Sequence, residues 1–170
     1  DFDNNFWVYR EHYTQRVTAD VFARQVMEKE YNEYVRYGIL DSSTWAKRGD
    51  AGPSIAETMI REGCKWRPSD RSPRSRVAGK LELHRLLTKD SDTGQPKLKI
   101  FSNCLNLART MPMLPVDKNN PEDVDTHAED HAYDALRYGV MSRTVHPKSY
   151  DANKYTEKET FKPADRVFGY

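Results

Sequence analysis

Apolar and polar positions along this chain follow two periods, one typical of strands and one typical of helices. Short runs rich in apolar and aromatic residues predict strands at 6–13, 37–40, 64–66 and 97–101. Apolar positions at helical spacing predict helices at 18–34, 54–63, 81–87, 103–111 and 126–141. Because strands and helices alternate, the pattern indicates an α/β fold with a mixed sheet.

Capping signals define the ends of two of these helices. Ser54 stands before an apolar periodic segment, and Gly63 is placed to close it. Thr126 and Glu129 have the spacing of a capping box, which predicts that the last helix begins at Thr126.

The periodic pattern ends near residue 144. Residues 145–170 have no period and are rich in Lys, Asp, Glu, Pro and Tyr, which is typical of a polar, flexible tail without a core. Residues 1–144 are therefore predicted to form one domain, in keeping with a length of 170 residues. No apolar run is long enough to span a membrane, and the start of the chain is acidic rather than basic, so we expect an intracellular protein without membrane contact.

Overall charge does not point to nucleic acid, because 27 Lys and Arg residues stand against 26 Asp and Glu residues. One local cluster does: the Pro- and Ser-containing segment 67–76, predicted to be an exposed loop, includes Arg71, Arg74 and Arg76. Guanidinium groups spaced in this way suit contacts with backbone phosphates, although a solvated surface loop is the alternative. Cys64 and Cys104 lack a CxxC partner, which argues against a thiolate zinc site.

Three aspartates are candidates for metal chemistry. Asp41 follows the predicted strand 37–40, at the end where α/β folds gather functional groups, although it could simply cap the next turn with Ser42 or Ser43. Asp130 and Asp134 are spaced i, i+4 and so leave one face of the last predicted helix, where Asp134 can also meet Arg137. A solvated polar face is the alternative.

Carboxylates are the ligands that Mg²⁺ prefers, so these aspartates could meet around hard divalent cations. Other chemistries have weaker support. His127 and His131 are spaced as in a zinc helix, but Ala128 replaces the glutamate of HExxH. The chain contains no GxxxxGK[ST] phosphate loop and no GxSxG elbow.

The amino-acid sequence of the last acidic segment resembles a motif of a known protein family. Residues 125–138 (DTHAEDHAYDALRY) resemble the final acidic motif of the C-terminal nuclease domain of tailed-phage large terminases. Residues 40–45 and 52–57 resemble the second acidic motif of that family and the helix behind it. Further segments, at 9–11, 66–79, 101–104 and 109–112, follow in the same order, so the resemblance spans about 6–143.

This resemblance implies a ribonuclease-H-like fold and an endonuclease that cuts concatemeric double-stranded DNA during genome packaging, using two Mg²⁺ or Mn²⁺ ions. By position, Asp41 corresponds to the second acidic residue and Asp130 to the third, while Asp134 or His131 could supply an additional ligand. The implied partners are DNA, held by Arg71, Arg74 and Arg76, the packaging ATPase domain, the portal and the small terminase subunit. The implied location is the host cell cytoplasm.

The first acidic residue of the family lies on a strand upstream of the segments matched here, so the resemblance predicts a nuclease domain that lacks its first strands. We therefore expect residues 1–170 alone to bind Mg²⁺ poorly and to cut little DNA. The alternative is a non-catalytic remnant that binds DNA or docks on another capsid-assembly protein.

Overall fold

Helices and short strands alternate along the chain in the computed structural model, which describes residues 5–47 and 52–143. The predicted α/β class is thereby confirmed. The elements are β1 (Phe6–Val8), α1 (Ala19–Lys29), β2 (Gly38–Leu40), α2 (Ile55–Arg61), β3 (Trp66–Pro68), α3 (Ser75–Leu87), β4 (Leu98–Ile100), α4 (Leu105–Thr110) and α5 (His131–Arg143).

The strands of the described residues form two separate sheets of two parallel strands each. In one, Phe6 of β1 lies opposite Leu98 of β4; in the other, Gly38 of β2 lies opposite Trp66 of β3. The expected mixed sheet is not present in this part of the chain. Parallel neighbours need a crossover connection rather than a tight turn, and α2 supplies it between β2 and β3.

The best local match between sequence and structure is α2. Ser54 accepts a hydrogen bond from the backbone N–H of Glu57, and the Glu57 carboxylate accepts one from the backbone N–H of Ser54. This reciprocal capping box satisfies two backbone donors at the start of the helix. Gly63 follows the helix with a φ of +106°, a conformation that a residue without a Cβ adopts at little cost.

Two hydrophobic clusters hold these elements together. The larger one joins α3, β4 and α5 and contains Leu83, Leu86, Leu98, Val124, Tyr133 and Val140. The smaller one joins α1, α2 and the residues before β3, and contains Ala23, Met59 and Cys64. Helix α5 packs against α3, α4 and β2, so it connects the two halves of the described structure.

The last helix begins five residues later than predicted, at His131 rather than at Thr126. The predicted capping box is wrong because Glu129 has other partners: its carboxylate accepts hydrogen bonds from Arg109 and from the Tyr13 hydroxyl. The bonds from Arg109, aided by Tyr13, lower the pKa of Glu129 to about 2. Asp130 consequently lies just before α5 instead of inside it.

The predicted arginine loop is shorter than expected, because Arg67 belongs to β3 and Arg76 belongs to the first turn of α3. The predicted tail, residues 145–170, and the first four residues of the predicted domain lie outside the described residues.

Gly79 tests how closely α3 and α5 pack. A Cβ at this position would lie 2.6 Å from Cγ and 2.8 Å from Cδ of the buried Arg137, whereas a Cβ at Gly139 would meet no atom of the described residues within 4 Å. We expect Gly79→Ala to lower the free energy of unfolding by about 1–2 kcal/mol, since overpacking outweighs the gain in helix propensity. Urea denaturation measures this change.

Gly139→Ala is the matched control, because it makes the same change in a helix with open space around it. We expect it to raise the free energy of unfolding by up to about 1 kcal/mol. Equal effects of the two substitutions would contradict the close packing at Gly79.

Candidate functional site

Asp41 uses both of its carboxylate oxygens. Its Oδ1 accepts a hydrogen bond of 2.6 Å from the backbone N–H of Ser43, which caps the short 3₁₀ turn Ser42–Trp45. Its Oδ2 accepts a bond of 2.7 Å from the hydroxyl of Tyr138 on α5. The turn-capping interpretation is therefore correct, and it accounts for one oxygen only; the other faces the last acidic segment.

The Tyr138 hydroxyl also brings Asp41 close to Asp134. Its oxygen lies 3.4 Å from Oδ2 of Asp134, so the Oδ2 atoms of the two aspartates are separated by at most 6.1 Å, the two distances combined. Oxygens that bind one hard cation at about 2.0–2.6 Å lie within roughly 5 Å of each other.

Asp134 is also held by Arg137, as the sequence indicated. Nε and Nη2 of Arg137 lie 3.1 and 3.0 Å from Oδ1 of Asp134. The Arg137 side chain is only 4% exposed, so its charge needs this partner. Gly79 on α3 provides the space in which the Arg137 side chain lies.

Asp130 is the most buried of the predicted ligands, with 9% of its side chain exposed. Nη2 of Arg76 and the ring Nδ1 of His131 each lie 3.8 Å from its carboxylate oxygens. Burial, together with the negative charge of Asp134, raises the pKa of Asp130 above its ordinary value. His131 itself is 81% exposed at the start of α5.

Arg76, predicted to contact DNA, instead lies inside the acidic cluster. Its Nε donates to Asp123 at 2.8 Å, its Nη1 lies 3.2 Å from Asp134, and its Nη2 approaches Asp130. The reason is geometric: α3 begins at Ser75, and its first turn directs residue 76 toward α5 rather than toward solvent. Burial opposes the charge of Arg76, but the three carboxylates still raise its pKa.

Arg71 and Arg74 do lie on the surface, as expected. They belong to the segment 69–74, which is anchored beside Asp41: Ser69 donates its backbone N–H to the carbonyl of Leu40, and its hydroxyl accepts from the backbone N–H of Ser42. The positive charge of Arg71 contributes to stabilising the ionised form of Asp41. These two arginines are therefore available to a ligand near the acidic cluster.

We call the connected side chains the acidic network: Asp41, Asp123, Asp130, Asp134, Arg76, Arg137 and Tyr138. Four carboxylates in it face two guanidinium groups, so negative charge is in excess. Its oxygen donors suit a hard divalent cation. In the ranges 5–47 and 52–143, however, no three His, Cys, Asp or Glu side chains are already arranged to hold a metal ion. A cation would have to replace Arg76 beside Asp130 and Asp134.

Sequence reasoning missed three members of the network. Tyr138 had a signal, because it follows Asp134 at the i, i+4 spacing of facing helical residues. No sequence signal pointed to Asp123 or to the inward direction of the Arg76 side chain. Both depend on the contact between α3 and the chain before α5.

A groove of about 730 Å³ lies elsewhere, between β1 with the residues after it, α1 and α5. Its lining includes apolar side chains such as Phe22, Val26 and Leu136, but not Asp41, Asp130 or Asp134. The groove and the acidic network are therefore distinct features. Among the helices that the structure describes, none has the length and apolar character needed to cross a membrane.

The pKa values of Asp41 and Asp130 predict opposite effects of pH on stability. Burial disfavours the ionised form of Asp41, but the hydrogen bonds from Tyr138 and Ser43 outweigh it and hold its pKa below the ordinary 3.8. Ionised Asp41 thus stabilises the fold above pH 3.8, its ordinary pKa. This stabilisation is lost as the pH falls through the lower pKa of the folded state. The pKa of Asp130 is raised in the folded state, so the protonated carboxyl group is the form that favours folding. Its contribution to stability is full below the ordinary pKa and is lost as the pH rises through the pKa of the folded state.

We therefore expect Asp41→Asn to be more destabilising at about pH 7 than at about pH 3, while Asp130→Asn becomes more favourable relative to the parent as pH rises. The free energy of unfolding, measured with urea and a chelator at both pH values, tests this. The same direction of pH dependence for both variants would contradict the assigned environments.

No family model, curated protein or solved structure matches this chain. The resemblance to terminase nucleases therefore stays a prediction from the sequence motifs.

Proposed function

We propose that this chain is a metal-dependent endonuclease domain of the phage or prophage large-terminase kind, with a ribonuclease-H-like fold, that cleaves concatemeric double-stranded DNA. The observation that carries the proposal is the bond between Tyr138 and Asp41, 97 positions apart in the sequence. It joins the segment resembling the second acidic motif to the segment resembling the last one. Two segments that resemble separate motifs of the family therefore meet at one point.

The acidic network supplies the ligands in this proposal. Asp41, Asp130 and Asp134 would hold Mg²⁺ or Mn²⁺, and their excess negative charge favours binding of divalent cations. Two such ions, when bound, activate water and stabilise the leaving oxygen of a phosphodiester. Arg76 would give up its contacts with Asp130 and Asp134 to the cation and would keep its shortest bond, to Asp123, which is 2.8 Å in the structure.

Arg71 and Arg74 would place the DNA. They are exposed in a segment whose first residue is hydrogen-bonded to Leu40 and Ser42, on both sides of Asp41. Phosphate contacts at this position would align the DNA backbone with the acidic network without reading base sequence. By the same resemblance, the partners of the domain are the packaging ATPase domain, the portal and the small terminase subunit, in the host cell cytoplasm.

Manganese binding tests the proposal directly. In keeping with the poor binding expected from the sequence, we expect the chain to bind Mn²⁺ weakly, observed by electron paramagnetic resonance, and to show at most slow nicking of supercoiled plasmid with Mn²⁺ present. Asp41→Asn and Asp134→Asn should each weaken Mn²⁺ affinity by about tenfold or more, because even groups that only orient ligands contribute this much.

Asp20→Asn is the control, since Asp20 lies on α1 in an exposed i, i+4 pair with Arg24. It should leave Mn²⁺ affinity unchanged. If the parent chain binds no Mn²⁺, or if Asp41→Asn and Asp134→Asn bind it as the parent does, the metal site is wrong.

The exposed arginines generate a separate prediction. Arg71→Ala with Arg74→Ala should weaken binding to duplex DNA of any sequence and lower the slope of log K against log salt by up to about 0.9 per lost phosphate contact. Fluorescence anisotropy over a salt series measures this slope. The control pair, Arg24→Ala with Arg85→Ala, removes two exposed arginines on α1 and α3 that pair with Asp20 and Glu82. An equal loss of slope in both pairs would assign no special role to Arg71 and Arg74.

One observation favours a second candidate function, a non-catalytic docking module. The groove of about 730 Å³ is separate from the acidic network and offers apolar side chains to a partner. This candidate predicts that DNA binding, if present, is unaffected by Mn²⁺ and by Asp41→Asn, which distinguishes it from the nuclease.

A further inference from the structure

Two short segments beside the sheet of β2 and β3 carry cations without acids. Residues 34–37 (YVRY) lead into β2, and residues 65–68 (KWRP) include β3. Together they contain Arg36, Lys65 and Arg67, and no Asp or Glu. In the part of the chain that the structure describes, no carboxylate forms a salt bridge with any of these three cations. Although the whole chain is nearly neutral, this surface has an excess of positive charge.

The pairing of β2 with β3 brings the two segments together. Gly38 donates its backbone N–H to the carbonyl of Lys65 at 2.9 Å, and Nζ of Lys65 lies 3.2 Å from the carbonyl of Val35. Successive side chains of a strand point to opposite faces, and Trp66 packs against the smaller hydrophobic cluster. Arg67 therefore projects away from that cluster, and both Lys65 and Arg67 are exposed.

Each of these two cations lies against a tyrosine ring. Nζ of Lys65 is 5.4 Å from the ring centre of Tyr34, and the guanidinium carbon of Arg67 is 4.3 Å from the ring centre of Tyr37. Tyr34 is nevertheless 89% exposed, so most of its ring is open to a ligand. We call Tyr34, Arg36, Tyr37, Lys65 and Arg67 the aromatic–cationic surface.

The aromatic–cationic surface continues into the segment 69–74. Strand β3 ends at Pro68, and the next residue, Ser69, donates its backbone N–H to the carbonyl of Leu40. Arg71 and Arg74 follow in this segment, and both are exposed. Exposed cationic side chains therefore recur along the chain from residue 65 to residue 74.

We propose that the aromatic–cationic surface binds single-stranded DNA. Backbone phosphates are complementary to cations that have no carboxylate partner, and an unstacked base can lie on the open ring of Tyr34. A duplex cannot use this ring in the same way, because its bases are already stacked on one another. The choice of DNA rests on the proposed function, since the surface adjoins Arg71 and Arg74. The stacking and phosphate contacts require neither that function nor a metal ion.

Fluorescence anisotropy with a labelled oligothymidylate of about 16 nucleotides, in the presence of a chelator, tests the inference. We expect Tyr34→Ala to weaken binding about fivefold or more, because it removes the stacking ring, and Tyr34→Phe to keep the parent affinity. Tyr31→Ala is the matched control. Tyr31 is 78% exposed, and none of the described cations lies over its ring.

An abasic oligonucleotide of the same length separates stacking from charge. Tyr34→Ala should bind it as the parent does, because it offers no base to the ring. Lys65→Gln with Arg67→Gln should weaken binding of both oligonucleotides and lower the slope of log K against log salt by up to about 0.7 per lost phosphate contact. Circular dichroism shows that each variant is folded.

Four results would overturn the inference: no binding of oligothymidylate by the parent, equal losses in Tyr34→Ala and Tyr31→Ala, an equal loss for the abasic oligonucleotide, or an equal loss for duplex DNA. Tighter binding of an oligouridylate would overturn the choice of DNA. The assay contains no divalent cation, so its result is independent of the metal site. If Mn²⁺ binding fails while oligothymidylate binding requires Tyr34, the proposed nuclease is wrong and this inference holds.

Discussion

Neutralising the charge of Asp134 is the constraint on which the arrangement of the described elements depends. This carboxylate lies in the first turn of α5, with the side chain of Arg137 almost completely buried beside it. Arg76 reaches it from α3, and the Tyr138 hydroxyl lies near it. A buried charge without such partners would cost several kcal/mol, so α3 and α5 can pack only in a way that brings these groups together.

The hydrophobic contacts of α5 favour the same packing of α3 against α5 as the charged groups do. Val140 and Tyr133 belong to the cluster with Leu83, Leu86 and Leu98, so one face of the helix is covered by α3 and β4. The helix also packs against β2, the strand directly before Asp41. Apolar burial thereby places α5 between two parallel sheets that share no strand within the described residues, and the Tyr138–Asp41 bond completes the connection. A single helix thus links the fold to the candidate site.

Local signals predicted those elements whose determinants are close together in the sequence. In α2, Ser54 and Gly63 supply both ends of the helix from within ten residues, and the structure agrees. The same type of signal was wrong at Thr126, because Glu129 binds Arg109 and Tyr13, which come from distant parts of the chain. A capping box forms only if the glutamate binds the backbone N–H of the N-cap residue rather than another donor. The spacing of the two residues does not show which donor the glutamate binds.

The sequence by itself determined the alternation of helices and strands, the position of Asp41 at the end of β2 and the pairing of Asp134 with Arg137, because each depends on neighbours within a few residues. Only the tertiary structure decided that Arg76 turns into the acidic network, that Asp123 belongs to it and that Asp41 meets α5 through Tyr138. These contacts join residues 47, 58 and 97 positions apart. The packing of apolar faces decides which of many polar side chains come within hydrogen-bonding distance, and a linear pattern of residues does not contain that packing.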